Sequence, residues 1–184
     1  GEICFGTVDS WLIWNLTAGK VFKTDVTNAS RTMLCNLETA SWDEELLAIF
    51  GIELSALPEI VPSSGKLAEI DNSILGKSIP IAGIAGDQQS ALFGQACFEV
   101  GQAKNTYGTG CFLMLNAGSK PVESKHQLLS TIAWQIGEER TYALEGAVFV
   151  AGSLIQWLRD KMEFFQNASE TEKMALSVED SDGC

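Results

Sequence analysis

Apolar residues recur along the chain in two rhythms, and the rhythm changes part-way. From Val8 to about Thr17, Trp11, Leu12, Trp14 and Leu16 supply apolar surface to a predicted helix. Thr7 is placed to cap it, Asp9 suits its positive N-terminus, and Gly19 suits the left-handed position past its end. An extended stretch is predicted at 20–25, followed by the polar run Thr27-Asn-Ala-Ser-Arg31. Residues 42–50 read as a second amphipathic helix, begun by Ser41 with Glu44 three positions on, as in a capping box, and ended by Gly51. Pro58 and Pro62-Ser-Ser-Gly65 then interrupt the pattern and read as a linker.

After Lys77 short apolar runs dominate. Residues 78–85 predict a buried strand, and Gly86-Asp87 opens a helix carrying Ala91, Leu92, Phe93 and Ala96. Two extended runs, 102–107 and 111–116, flank Gly108-Thr109-Gly110 as a hairpin. Strands follow at 129–136 and 140–144, and a last helix at about 147–162 presents Phe149, Ile155, Trp157 and Leu158. A domain boundary is placed near 66–78, dividing the chain into residues 1–77 and 78–184.

Composition narrows the function. The chain has 184 residues, 46% hydrophobic and 20% charged, enough to bury a core. Its formal net charge of −12, from 24 acidic and 12 basic residues, argues against a nucleic-acid partner. A phosphate bound here has to be held by backbone N–H groups, a helix start or a metal ion, which suits a Mg²⁺-nucleotide. The five cysteines are scattered without a CxxC, and His126 is alone, so neither a disulfide framework nor a zinc site is expected. The thiols read as small buried groups in a reducing, cytoplasmic compartment. No apolar run approaches the roughly 20 residues of a membrane helix. The sequons at Asn15, Asn28 and Asn167 read as chance. Without an initiator Met, and with no closing element at its end, the chain is expected to be a piece of a longer protein.

Three constellations could carry chemistry. In Gly83-Ile-Ala-Gly-Asp87-Gln88-Gln89 a strand delivers a carboxylate to a helix start, where it can take a proton from a hydroxyl; it can equally be a helix cap. Gln88 has donor and acceptor ends suited to a polyol. Asn105-Thr-Tyr-Gly108-Thr109-Gly110 can turn N–H groups and the Thr109 hydroxyl toward a phosphate, or be an ordinary hairpin turn. Around Glu145-Gly-Ala147, Ala151-Gly152-Ser153 and Gln156, small residues admit either a ligand or close helix packing. Asp25, Asn28, Ser30 and Arg31 form a polar cluster that reads as a buried hydrogen-bonded loop.

Five segments in series resemble the FGGY family of carbohydrate kinases, its glycerol kinases above all. They are Phe5-Gly-Thr-Val-Asp-Ser-Trp-Leu-Ile-Trp14, Thr24-Asp-Val-Thr-Asn-Ala-Ser-Arg-Thr-Met33, Gly83-Ile-Ala-Gly-Asp-Gln-Gln89, Lys104-Asn-Thr-Tyr-Gly-Thr-Gly-Cys-Phe112 and Tyr142-Ala-Leu-Glu-Gly-Ala-Val-Phe149. The resemblance implies an α/β, ribonuclease-H-like fold of the actin/hexokinase/Hsp70 ATPase type. Residues 1–77 would end the first lobe and 78–184 would open the second. It implies phosphorylation of glycerol by MgATP to sn-glycerol 3-phosphate, in a homo-oligomeric parent enzyme. Asp87 would be the catalytic base; Gln88 and Phe112 would bind glycerol; Thr109, Gly152 and Gln156 would bind ATP. No residue is assigned to Mg²⁺.

The family's Asp-x-Gly-Thr-Thr phosphate loop is absent from these residues, as are its Arg-Glu pair and Tyr for glycerol, so this chain alone is expected to be inactive. Asp71-Asn-Ser-Ile-Leu-Gly76 also lacks the Gly-rich loop that binds a sugar bisphosphate in some members. The alternatives are a kinase for another polyol or ketose, and a non-catalytic actin/Hsp70-like ATP-binding or interaction module.

Overall fold

Thr131, Ile132 and Ala133 are consecutive and all buried, which a strand with one wet face cannot achieve. In the computed structural model, which describes residues 3–181, this strand is covered on both sides. The elements run in the following order. Helix α1 (Val8–Leu16) leads to strand β1 (Lys23–Asp25) and the single turn α2 (Val26–Ala29). The short ladder of β2 (Cys35–Asn36) and β3 (Ser41–Trp42) precedes α3 (Glu44–Phe50). After a 3₁₀ turn at Leu54–Ala56 come β4 (Glu59–Val61), β5 (Ser64–Ile70), α4 (Asn72–Leu75) and β6 (Ile79–Gly83). Helix α5 (Asp87–Gly94) is followed by β7 (Ala103–Tyr107), β8 (Cys111–Gly118), β9 (Leu129–Ile136) and β10 (Glu139–Val148). Helices α6 (Gly152–Asp160) and α7 (Glu170–Ala175) complete the described chain.

Six strands form one sheet in the order β6-β5-β9-β10-β8-β7, while β1 pairs in parallel with β4. Because side chains alternate along a strand, neighbours in sequence feed opposite faces. Ile132 and Tyr142 pack with Val26 of α2, while Ala133 and Ala143 pack with Leu92 of α5, Cys97 and Met114. The register of β9 with β10 shifts between Thr141 and Tyr142, whose partners are Trp134 and Ile132. Ala133 is therefore the extra residue of a bulge, which lets Trp134 join Ala133 on the α5 side. By contact density the chain divides into two units. One is the chain up to Lys104 with Met114–Gly146; the other is Asn105–Leu113 with everything from Ala147 on.

Several local expectations are corrected. Thr7 precedes α1, but its hydroxyl donates to Asp9 and makes no cap bond; Asp9 in turn accepts from Thr24 Oγ1 at 2.8 Å, tying α1 to β1. Helix α3 is capped by Asp43, whose carboxylate takes the N–H groups of Glu45 and Leu46, and Ser41 and Trp42 lie in a strand. The stretch read as a linker holds β4 and the start of β5, because Ser63 and Ser64 engage the sheet. Strand β6 is an edge strand and largely exposed, a position that suits Pro80, which lacks an N–H. Residues 147 and 148 extend β10, so the helix expected at about 147–162 is α6 and begins only at Gly152, with Phe149 outside it and exposed.

Of the cysteines, Cys4 is exposed, Cys35, Cys97 and Cys111 are buried, and Cys184 lies outside the described residues. Burial pushes the Cys35 thiol up to about 11, aided by the charge of Asp43 and opposed by the Arg140 guanidinium. At pH 8 about one Cys35 in a thousand is thiolate, and only the thiolate is alkylated. Iodoacetamide on the native chain should therefore label Cys4 and spare Cys35 until denaturant is added. Peptide mapping that finds equal labelling would contradict this burial.

Candidate active site

The placement of Asp87 begins with a different carboxylate. Asp25 ends β1 fully buried, where an ion needs hydrogen bonds to replace its water. It accepts from Thr27 Oγ1 at 2.8 Å, Asn28 N at 3.0 Å, Asn28 Nδ2 at 2.8 Å and Ser63 Oγ at 2.7 Å. The Thr27 hydroxyl gives its proton to Asp25, so its oxygen is left to accept the Gly86 N–H at 2.8 Å. Ser63 works in the same way, donating to Asp25 and accepting from Gln135 N of β9 at 3.2 Å. Gly86 is the residue before α5, and a side chain there would strike Gln89, whose Oε1 lies 2.5 Å from the Cβ position. The polar cluster read from sequence at Asp25 and Asn28 is thus the buried loop it was expected to be, and it fixes where α5 starts. Its other members serve the sheet: Ser30 shares a 2.9 Å hydrogen bond with Thr131, and Arg31 pairs with Glu145 of β10 at 3.1 Å.

Asp87 is the first residue of α5 and is exposed. Its Oδ1 accepts the Gln88 N–H at 2.8 Å, and its Oδ2 lies 3.4 Å from Gln88 Nε2. Behind them, Lys104 of β7 is buried and donates to Gln88 Oε1. Burial pushes the Lys104 ammonium below the ordinary lysine range, while the charges of Asp87 and Glu145 pull it back up. Sequence reading passed over Lys104, because its inward position depends on strand parity in β7, where its neighbours are exposed. An apolar groove of about 650 Å³, lined by residues such as Leu12, Ile81, Gln89 and Phe93, opens along α1 and α5 without reaching Asp87.

The other predicted site residues lie in the second unit. The Gly108-Thr109-Gly110 turn docks on the start of α6 through its carbonyls. Gly152 N donates to Gly108 O at 3.0 Å, while Ala151 N and Ser153 N donate to Thr109 O at 2.8 and 3.2 Å. The first amides of α6, which otherwise lack partners, are therefore occupied by the turn. In a trans peptide the C=O and the following N–H point in opposite directions, so the N–H groups of Thr109 and Gly110 face away from the helix. Thr109 itself is exposed. Two glycines permit this approach: a Cβ on Gly152 would lie 2.5 Å from Gly108 O, and one on Gly110 would lie 2.5 Å from Val148 O. The small residues at 151–153 are thus explained by the turn that packs on them. Gln156, one helical turn after Gly152 on the same side, is exposed, and Phe112 of β8 is half-buried.

The fold is the actin/hexokinase-like kinase fold. The chain superposes on the Plasmodium falciparum glycerol kinase solved with ADP with a TM-score of 0.89 and 42% identity, over 95% of this chain and 35% of that one. A Lactobacillus acidophilus xylulose kinase superposes at 0.75 over 92% of this chain and 34% of that one; with 22% identity it shares the fold alone. Residues 2–94 match the N-terminal domain, and 103–182 the C-terminal domain, of the FGGY family of carbohydrate kinases, and the chain belongs to that family. Glycerol kinases of Symbiobacterium thermophilum and Bacillus licheniformis are 57% and 58% identical to it over 183 and 184 residues. Those matches cover 100% of this chain and 37% of each relative, so the chain spans little more than a third of their length.

Three substitutions test this scaffold, one of them as a comparator. Asp25→Ala should remove about 3 kcal/mol of stability in urea unfolding, since it strands several buried donors. The half-buried cap change Asp43→Ala should cost clearly less, and equal losses would deny Asp25 its central place. Gly152→Ala should lower the melting temperature by several degrees, because the added methyl meets a backbone carbonyl that cannot move alone; an unchanged melting curve would show that the turn is not seated as described.

Proposed function

We propose that the longer protein containing this chain is an ATP-dependent glycerol kinase, making sn-glycerol 3-phosphate. The observation that carries the reading is the exposed carboxylate of Asp87, presented at a helix start beside the Gln88 amide, in a chain 57% identical along its length to glycerol kinases. In this reading Asp87 takes the proton of a terminal glycerol hydroxyl as its oxygen attacks the γ-phosphoryl group. Gln88 hydrogen-bonds the polyol, and Phe112 covers its carbon backbone. Thr109, with the N–H groups the turn directs away from α6, contacts the nucleotide phosphates, and Gly152 and Gln156 lie on the nucleotide side. Such backbone donors fit an anion in a chain with net charge −12, where few cations are available.

Among the described residues no group of three or more His, Cys, Asp or Glu side chains could hold a metal. Mg²⁺ is proposed to arrive with the nucleotide, whose phosphates it would neutralise. No described helix is long and apolar enough to cross a membrane, and a cytoplasmic, homo-oligomeric enzyme is proposed. The Asp-x-Gly-Thr-Thr loop is not among these 184 residues, and turnover is assigned to the longer protein.

In the full-length protein, Asp87→Asn should lower kcat roughly a hundredfold or more and leave nucleotide affinity nearly unchanged, as loss of a general base requires. Near-normal turnover would remove Asp87 from that role. A coupled ADP-release assay across glycerol, dihydroxyacetone, xylulose and gluconate should show the highest kcat/KM for glycerol. Preference for a pentulose would reassign the substrate.

A further inference from the structure

One cation stands beside Asp87 and Gln88 that the chemistry above does not use. In β7 only Lys104 is buried, at 7% exposure, while Ala103, Asn105, Thr106 and Tyr107 are exposed. A buried ammonium is costly unless hydrogen-bonded and balanced by charge. Here the hydrogen bond goes to Gln88 Oε1, and the charge is met by Asp87 and Glu145. Glu145 is itself 7% exposed and held by Arg31 at 3.1 Å. Arg31, Glu145, Lys104 and Asp87 thus alternate in sign, with the Gln88 amide set between the last two.

An amide has one accepting end and one donating end, whereas an ammonium only donates. Lys104 can therefore hold Gln88 in one sense alone, by its oxygen. The NH₂ end is then turned the other way, and it lies 3.4 Å from Asp87 Oδ2. We propose that Lys104 is a positioning residue for the substrate: by gripping Gln88 Oε1 it fixes the amide with its NH₂ end beside the carboxylate of Asp87. This role rests on the kinase reading above. An N–H from Gln88 that donates to a substrate hydroxyl oxygen leaves that hydroxyl's own proton to point at Asp87. The opposite flip would present a carbonyl, which competes with Asp87 for the same proton.

The test is a cycle of variants in the full-length protein, with glycerol and ATP varied separately. Lys104→Met should lower kcat/KM for glycerol about tenfold, the scale of one charge-assisted hydrogen bond, with KM for ATP changed less than about twofold. In a Gln88→Ala background the same change should have little further effect, since the group it positions is gone. Full multiplication of the two losses, or an unchanged kcat/KM in Lys104→Met, overturns the proposal. A second arm leaves Lys104 in place. In Gln88→Glu an oxygen still meets the ammonium and the protein should remain folded, yet no N–H remains and a second carboxylate faces Asp87, so glycerol kcat/KM should fall at least as far as in Gln88→Ala. Wild-type turnover in Gln88→Glu overturns the proposal even if Lys104→Met does not fold. A wild-type protein that fails to phosphorylate glycerol would remove the kinase reading and this role with it; normal wild-type turnover with an unaffected Lys104→Met removes the role alone.

Discussion

A buried carboxylate cannot be left without donors, and Asp25 meets that constraint with three from the adjoining Thr27-Asn28 turn and a fourth from the distant Ser63. Each hydroxyl that donates to it is left with lone pairs to give elsewhere. Thr27 uses its oxygen on the Gly86 N–H, and Ser63 uses its oxygen on Gln135 of β9. The start of α5 is thereby referred to the centre of the fold through two hydrogen bonds and the short side chains of Asp25 and Thr27. Asp87 follows one residue later. In its proposed role Asp87 has to be held to a fraction of an ångström, and a short, buried, fully bonded polar chain is a stiff way to do so.

The second unit solves a different problem. For the proposed phosphate contact an acidic chain has few cations to offer, and the donors it supplies are backbone N–H groups whose direction is set by the turn. Docking the carbonyls of Gly108 and Thr109 on the first amides of α6 achieves this, because each docked carbonyl sends the next N–H the other way. Glycine is required at 110 and 152 by contact with backbone atoms at 2.5 Å, not by an unusual backbone angle. The one buried lysine near Asp87 is placed behind the site, on an amide, where its charge is balanced by acids and its hydrogen bond decides which end of Gln88 faces forward.

Much of this was written locally and could be read as such. The helix at Val8–Leu16, the strand–Gly–Asp start of α5, the hairpin about Gly108-Thr-Gly110 and the strand at Leu129–Ile136 follow from periodicity and turn residues that act over a few positions. So do Asp87, Gln88 and Thr109 as candidates, and the five segments in order that resemble one kinase family. Where reading failed, the deciding partner lay far away. Ser63 and Ser64 looked like a linker because the strands they join are about twenty and seventy residues distant. Residues 78–85 looked buried because their apolar content outweighed Pro80, the one local mark of an edge strand.

Sequence alone thus determined the local elements, the acidic balance and the family resemblance, and it singled out Asp87, Gln88 and Thr109 as candidates. Only the tertiary structure decided that Asp25 anchors α5, that Arg31 pairs with Glu145, and that Lys104 turns inward onto Gln88. The reason is physical. Propensity, capping and turn chemistry act between near neighbours in the chain, whereas burial and the matching of donors to acceptors are settled between residues that meet only when the sheet has formed.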